Sequence, residues 1–495
     1  MKTLDQHLGE LSVIELRVIA RRQGLLVEAG GKDVLLAELL DQMSNPDHLA
    51  ALWQELTPAQ RDCLQALAGH DNRMPVAAFE RTYGELRRFG PGLLQQEKPW
   101  QTPTGIAEEL WYLGLITRGF EETEDGLHEF VGIPTDLLPL LPIRELSPPR
   151  FEFPSPANSP TSESIRRQND RLLEDLATTL IYIYNQQVWI TTRGQWRLQD
   201  LQQLFARWQS PPKERTSPPA RGSRAALVLH LAEEAGFVVR SGRQLRLRAG
   251  RVREWLQLTR VEQKAVLFRA WYQSETWNDL CLTPGLRCEP GNWRNDPVLT
   301  RANVLDILLQ AQPEQWYGLD AFIRAVHEQE PDFQRPDGQY DTWYISDRRG
   351  IHLRGYEHWF DVEGRLLRYL FKGPLFWFGM IVLAGEGDLW QLHPQAAQLV
   401  RPDAGGEDPA PPLKIGEDFR IVLPVGARLY DRFRVARFCS WESSQPSFCY
   451  RITRRGLRRA AASGITPQQV LEYLVKASHD TVPANVRQAL ERFRP

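Results

Sequence analysis

The stretch Asp418-Phe419-Arg420-Ile421-Val422-Leu423-Pro424 alternates apolar and polar residues, the period of a half-buried strand. It predicts that Phe419, Ile421 and Leu423 share a core face. Outward from it, Leu429 to Phe438 is amphipathic, and Cys449-Tyr450-Arg451-Ile452 reads as another short strand. Thr453 is placed to cap a helix carrying Leu457, Ala460 and Ala461, which Gly464 ends. Thr466-Pro467-Gln468-Gln469 then combines a capping threonine, proline at the first helical position and glutamine at the third, ahead of Val470, Leu471 and Leu474. Val482-Pro483-Ala484-Asn485-Val486 opens a last helix. Residues 415–495 are therefore expected to form a small α/β domain that folds as its own body.

Upstream, a pattern of amphipathic helices followed by a strand, a turn and a second strand recurs three times. In residues 50–146 the first helix begins at Thr57-Pro58 and buries Leu64, Leu67 and Ala68. Helices near 75–83 and 104–113 follow, then strands at 114–117 and 127–133. In residues 166–260, Leu172, Leu173, Leu176, Leu180 and Ile183 keep helical spacing, and 198–208 buries Leu201, Leu204, Phe205 and Trp208. A hairpin runs from Phe237 through Ser241-Gly242 to Arg248. In residues 261–400 an aromatic-rich stretch ends in a helix over 360–371 and strands over 380–384 and 389–393. Helices followed by a two-stranded hairpin describe a winged helix. Segments 147–165 and 401–414 stack proline with small polar residues and read as linkers. The fold class expected is α+β and multidomain: mainly helical tandem winged-helix units with a small C-terminal α/β domain.

Two resemblances add to this reading. Residues 1–46 hold Leu11 and Leu16, Gly24-Leu25, and Gly31-Lys32 followed by Leu35 and Leu39. In these positions the segment resembles the SAP module, a small helix-turn-helix that often binds DNA, which makes Lys32 a candidate DNA contact; the alternative is an unrelated two-helix cap. In residues 415–495 the order F-x-I-x-L, R-F, Y-R-I-T-x-x-x-L-x-x-A-x-x-x-G, V-L-x-x-L and V-P-x-N-V resembles the N-terminal domain of XPB-type repair and transcription helicases. That domain also occurs in bacterial helicase-associated proteins that lack a motor. The resemblance implies an XPB-like DNA helicase as partner. Arg454, Arg455, Arg458 and Arg459 form a basic cluster on one helix and are candidate partner-binding residues, where a partner's carboxylate surface competes with nucleic acid.

Composition limits the alternatives. With 42% hydrophobic and 25% charged residues among 495, the chain can build cores and is not disordered throughout. Its longest apolar run, around Leu375 to Leu383, is far short of the ~20 residues a membrane span needs. The start lacks an apolar signal core, so a cytosolic location is expected, with association to the nucleoid as a variant of it. The five cysteines are odd in number, scattered and never spaced C-x-x-C, so neither disulfides nor a zinc site is expected.

Catalytic and cofactor signals are weak. Around Gly31-Lys32, Leu26 stands where a phosphate loop has glycine and Asp33 where it has Ser/Thr, so no nucleotide motor is expected. Gly385-Glu386-Gly387 is too short for a dinucleotide motif, and no cofactor or catalytic residue is assigned. Asp337, Asp341, Asp347, His352, His358 and Asp361 form the richest polar cluster, which a metal-dependent nuclease could use. They lack an i,i+4 histidine pair, and the expectation is an aromatic-packed loop without metal.

The net charge of −2 hides segregation. Residues 205–260 hold twelve basic against four acidic residues, whereas 97–136 hold two against nine. In the second hairpin, alternation turns Leu245 and Leu247 inward and Arg246 and Arg248 outward, while Arg240 and Arg243 flank the turn. These four guanidinium groups are candidate DNA contacts. The competing reading is a face turned to an acidic neighbour such as Glu121, Glu122, Glu124 and Asp125. The function expected is a non-enzymatic adaptor of DNA repair or transcription type that attaches an XPB-like helicase and contacts DNA. The alternatives are a DNA-binding transcriptional regulator without a helicase partner and the metal-dependent nuclease.

Overall fold

The computed structural model describes residues 1–495 except 26–30, 124–125, 144–150, 152, 155–159, 169, 402–411 and 495. The fold is α+β, with many helices and, among the described residues, five small sheets. By its contacts the chain divides into two units, residues 1–150 with 330–343, and residues 151–329 with 344–495.

The first unit opens with α1 (Leu4–Glu10), α2 (Val13–Arg22), α3 (Lys32–Met43) and α4 (Pro46–Glu55). It continues through α5 (Pro58–Gly69), β1 (Met74–Pro75), α6 (Val76–Tyr83), α7 (Pro91–Glu97), α8 (Ile106–Trp111), β2 (Thr117–Thr123) and β3 (Gly126–Gly132). Capping boxes at Thr3/Gln6, Ser12/Glu15 and Thr57/Gln60 set three of the helix starts. The sheet order is β1-β3-β2, all antiparallel. One core joins Leu16, Ile19, Leu39 and Met43 of the early helices to Leu64, Phe79, Leu110 and Val131. Gly114 marks their closest approach: its φ is +71°, and an added Cβ would meet Ile19 and Met43 side-chain carbons at 3.2 Å. Residues 330–343 pack on this unit through Arg81, which pairs with Asp332 at 2.5 Å and donates to the Gly338 carbonyl.

The second unit runs β4 (Ile165–Arg166), α9 (Arg171–Asn185), β5 (Val188–Trp189), α10 (Leu198–Phe205), α11 (Arg224–Glu234), β6 (Val238–Ser241) and β7 (Gln244–Leu247). Then come α12 (Ala249–Gln257), α13 (Arg260–Tyr272), α14 (Asp279–Leu282), β8 (Leu286–Cys288), α15 (Pro297–Leu308), β9 (Trp316–Gly318) and α16 (Leu319–Gln329). After β10 (Ile345–Asp347), α17 (Trp359–Leu370), β11 (Ile381–Ala384), β12 (Leu389–Leu392) and α18 (Ala396–Val400), the chain enters the C-terminal segment. That segment holds β13 (Lys414–Ile415), β14 (Arg420–Leu423), α19 (Leu429–Phe438), β15 (Cys439–Ser443), β16 (Phe448–Ile452), α20 (Arg454–Ala462), α21 (Pro467–Ala477) and α22 (Ala484–Arg492). The sheets are β5-β7-β6, β4-β11-β12-β9, β10-β8 and β13-β14-β16-β15. Three times in the chain, a short strand after a helix pairs with the return strand of a later hairpin.

Several expectations are corrected here. The end of the expected linker 147–165 is structured: Ile165 and Arg166 pair with Ala384 and Leu383, and Phe153 stacks on Phe322 with centroids 5.3 Å apart. The expected linker 401–414 lies mostly outside the described residues. Phe419 lies just before β14, where its φ of +68° turns the chain, and is half-buried; it packs against the core at the edge of the face that Ile421 and Leu423 carry.

Cys281 and Cys288 are disulfide-bonded with Cα atoms 5.4 Å apart, where no bridge was expected. The turn at Pro284-Gly285, with φ +97° at Gly285, brings α14 and β8 together, a closure that spacing alone does not reveal. Replacing both cysteines with serine is expected to lower stability by about 2 kcal/mol through loop-closure entropy, read as a shifted urea midpoint under non-reducing conditions.

Candidate nucleic-acid and partner surfaces

The β6–β7 hairpin turns through Gly242, with φ +60°, and pairs Val238 to Leu247 and Arg240 to Leu245. Leu245 is buried, whereas Arg240, Arg243, Arg246 and Arg248 are all exposed. Arg240 is nevertheless occupied: its guanidinium grips the Glu233 carboxylate through two bonds of 2.8 and 3.1 Å, which raise its pKa further. The hairpin's available charge is thus Arg243, Arg246 and Arg248, which form no ion pair among the described residues. Arg246 donates to the neighbouring Gln244 side chain at 2.9 Å, which holds it along the strand.

Helix α11, just before this hairpin, is committed to packing. Arg224 pairs with the buried Asp175 at 2.7 Å, His230 bonds Ser274, and the helix packs against α9 and α13. Little of it remains to read base edges.

Lys32 is also engaged. At the start of α3 its ammonium donates to the Gly9 carbonyl at 2.6 Å and is half-buried, so it ties α3 to α1 and is not presented as a free cation. On α20, capped by Thr453 as expected, Arg454, Arg455 and Arg458 are exposed. Arg459 is not part of that surface. Its Nη2 donates to the Ala436 and Cys439 carbonyls at 3.1 and 2.7 Å, satisfying the C-terminus of α19, and burial pushes its pKa down. The acidic counterpart in the first unit is matched locally: Glu121 pairs with Arg73, and Glu129 with Arg88 and Arg118. Glu124 and Asp125 lie outside the described residues, and Glu122 belongs to β2.

The Asp/His cluster is divided. Asp337 and Asp341 belong to the first unit, and Asp347, His352, His358 and Asp361 to the second. Asp347 closes a turn by accepting the Arg349 and Ile351 amides, and Asp361 sits between His358 and Arg365. Among the described residues no three His, Cys, Asp or Glu side chains gather as metal ligands. Gly385-Glu386-Gly387 lies in the β11–β12 turn.

The most consequential cluster escaped the sequence. Glu174 on α9 is 1% exposed and bonds Arg432 of α19 at 2.8 Å, Arg260 of α13 at 2.7 Å and the Gly426 amide at 3.2 Å. Arg432, also 1% exposed, lies 3.4 Å over the Phe448 ring and donates to the Thr178 hydroxyl. Arg260 extends the network to Asp170, whose carboxyl is held below its usual range by Lys264 and Arg260 against the cost of its burial. The C-terminal segment is therefore keyed into α9, and Ile181 of α9 joins its core; it does not stand as a separate body. The only sequence signal was Glu174-Asp175 interrupting an otherwise apolar helix face.

Residues 413–494 match the family model described as the helicase conserved C-terminal domain. A helicase-type C-terminal segment is thereby defined, covering about a sixth of the chain. No curated protein matches the chain. No helix among the described residues is long and apolar enough to cross a membrane.

Proposed function

We propose that the chain is a non-enzymatic adaptor of DNA-repair or transcription type. It attaches an XPB-like DNA helicase through its C-terminal segment and holds DNA through the wing of a winged helix. The observation that carries this reading is that both surfaces are built on one helix. Helix α9 packs against β7 of the basic wing and against α19 of the helicase-type segment, where the Glu174 network locks it. A load on one surface is transmitted to the other through packed side chains and buried ion pairs rather than across a flexible linker.

The helix, strand, helix, helix, hairpin order with sheets β1-β3-β2, β5-β7-β6 and β9-β12-β11 supports reading three winged-helix units. Residues 1–46 are read as a SAP-like cap that shares the first unit's core. All described strand-to-strand ladders are antiparallel, whereas a nucleotide motor's phosphate loop follows a strand of a parallel sheet; this favours an accessory role. Because α11 is occupied by packing, the wing would grip phosphates without reading sequence, which weighs against the transcriptional regulator.

The DNA half of the reading is tested by Arg246→Glu with Arg248→Glu. If both arginines touch phosphate, affinity for duplexes of any sequence should fall, and the slope of log affinity against log salt should flatten by roughly two. Unaltered affinity and slope in the folded double variant would remove the wing from DNA.

A further inference from the structure

We propose that a second ribbon, β8 with β10 and the chain returning through Ile351 to Leu353, binds the phosphate backbone of duplex DNA with an arginine tip. This surface is separate from the β6–β7 wing and does not depend on it.

The ribbon is the two-stranded pair of β8 and β10, extended by one bridge from Ser346 to His352. Ile345, Ser346 and Asp347 pair with Cys288, Arg287 and Leu286. The returning chain closes a tight hairpin, with the Asp347 amide donating to the Ile351 carbonyl and the Leu353 amide to the Ile345 carbonyl, both at 2.9 Å. Gly350 supplies the φ of +81° that the turn requires, and its amide reaches the Asp347 carbonyl at 3.1 Å. The Asp347 carboxylate accepts the Arg349 amide at 2.8 Å and the Ile351 amide at 2.9 Å, so the tip is fixed from inside. Leu286, opposite Asp347 next to the turn, and Ile345, opposite Cys288, are both buried, and the Cys281–Cys288 bond staples β8 to α14. A tip built this way meets a ligand without first being ordered.

It carries three arginines against Asp347, which pairs with one of them, Arg349. Arg348 and Arg349 form the tip, with the Arg349 side chain 80% exposed, and Arg287 is exposed on the adjacent strand. Arg348 and Arg365 converge beside Gly285: a Cβ there would lie 3.9 Å from Arg348 Nε and 3.3 Å from Arg365 Nη1. The nearby carboxylates are already engaged. Asp347 holds the turn and Arg349 at 3.2 Å, Glu289 accepts the Ser346 hydroxyl at 2.6 Å, and Asp361 pairs with Arg365 at 2.9 Å. Arg287 and Arg348 form no ion pair among the described residues. Ile351 and Tyr344, 51% and 43% exposed, give the same ribbon apolar surface suited to sugar and base edges. Guanidinium groups on a narrow, rigid ribbon match phosphate oxygens, and a β-ribbon fits a major groove.

The test is titration of the full chain with a labelled duplex of about 20 base pairs across a salt series, comparing the native protein with Arg348→Glu/Arg349→Glu and Arg246→Glu/Arg248→Glu. An Arg348→Gln/Arg349→Gln variant, with circular dichroism of each protein, separates charge loss from misfolding. The expected result is that both tip variants keep the native fold, weaken binding by on the order of tenfold, and flatten the salt slope by about 1.8. Native affinity and slope in the folded tip variants overturn the proposal, as does a native protein that binds no duplex. A tip variant that loses only an acidic protein partner while holding duplex normally overturns it too. The wing variant judges the wing alone, so the two surfaces fail independently.

Discussion

Replacing Glu174 with alanine is expected to destabilise the second unit by about 3–5 kcal/mol, because it leaves Arg432 charged and buried with no carboxylate and takes one of the two that hold Arg260, Asp170 being the other. A urea titration followed by tryptophan fluorescence reads the effect directly. The cost falls on removing one partner, not on lacking the pair. Changing Glu174 and Arg432 together to apolar residues of similar size should cost much less, although Arg260 would still need Asp170. A loss below about 1 kcal/mol for the alanine variant would mean that water reaches the arginines and that the C-terminal segment is not locked to α9.

The first unit should be acid-sensitive through His7. This histidine is 2% exposed on α1, edge-on to Trp111 at 5.0 Å, and its Nε2 finds no partner among the described residues. Burial, with the nearby Lys2 charge adding to it, pushes its pKa down from 6.5 to about 4. The folded state therefore refuses a proton that the unfolded chain accepts. The stability present above pH 6.5 is lost as pH falls from 6.5 towards 4, reaching about 3 kcal/mol. Thermal melts across that window should show the decline, and His7→Met should flatten it. An unchanged pH profile in the methionine variant would assign the acid sensitivity elsewhere.

Local chemistry was legible in the sequence, and long-range pairing was not. The capping residues Thr453 and Thr466 with Gln469 announced α20 and α21, and Ser241-Gly242 announced the β6–β7 turn, because each signal lies within a few residues of its effect. The α+β class followed from the same punctuation. Whether an arginine is available depends instead on what folding brings beside it. Arg240 meets Glu233 seven residues away, Arg459 meets the end of α19, and Lys32 meets Gly9, so three of the nine candidate cations were spent inside the fold. Glu174 and Arg432 are 258 positions apart, and no periodicity joins them. The Asp/His residues show the opposite case: close in sequence, they are divided between two units, and the arginines at 348 and 349 that lie among them occupy an exposed turn.

The proposed helicase contact runs through the exposed arginines of α20 in the C-terminal segment. It is tested most directly by measuring retention of a purified XPB-type helicase on the immobilised full chain and on the variant Arg454→Glu/Arg455→Glu/Arg458→Glu. These three side chains point into solvent, so the variant should keep its fold and melting temperature. Strong retention by the native chain and its loss in the variant are expected, with Arg243→Glu in the β6–β7 hairpin leaving retention intact. Equal retention by the native chain and the triple variant, or no retention by either, would contradict it.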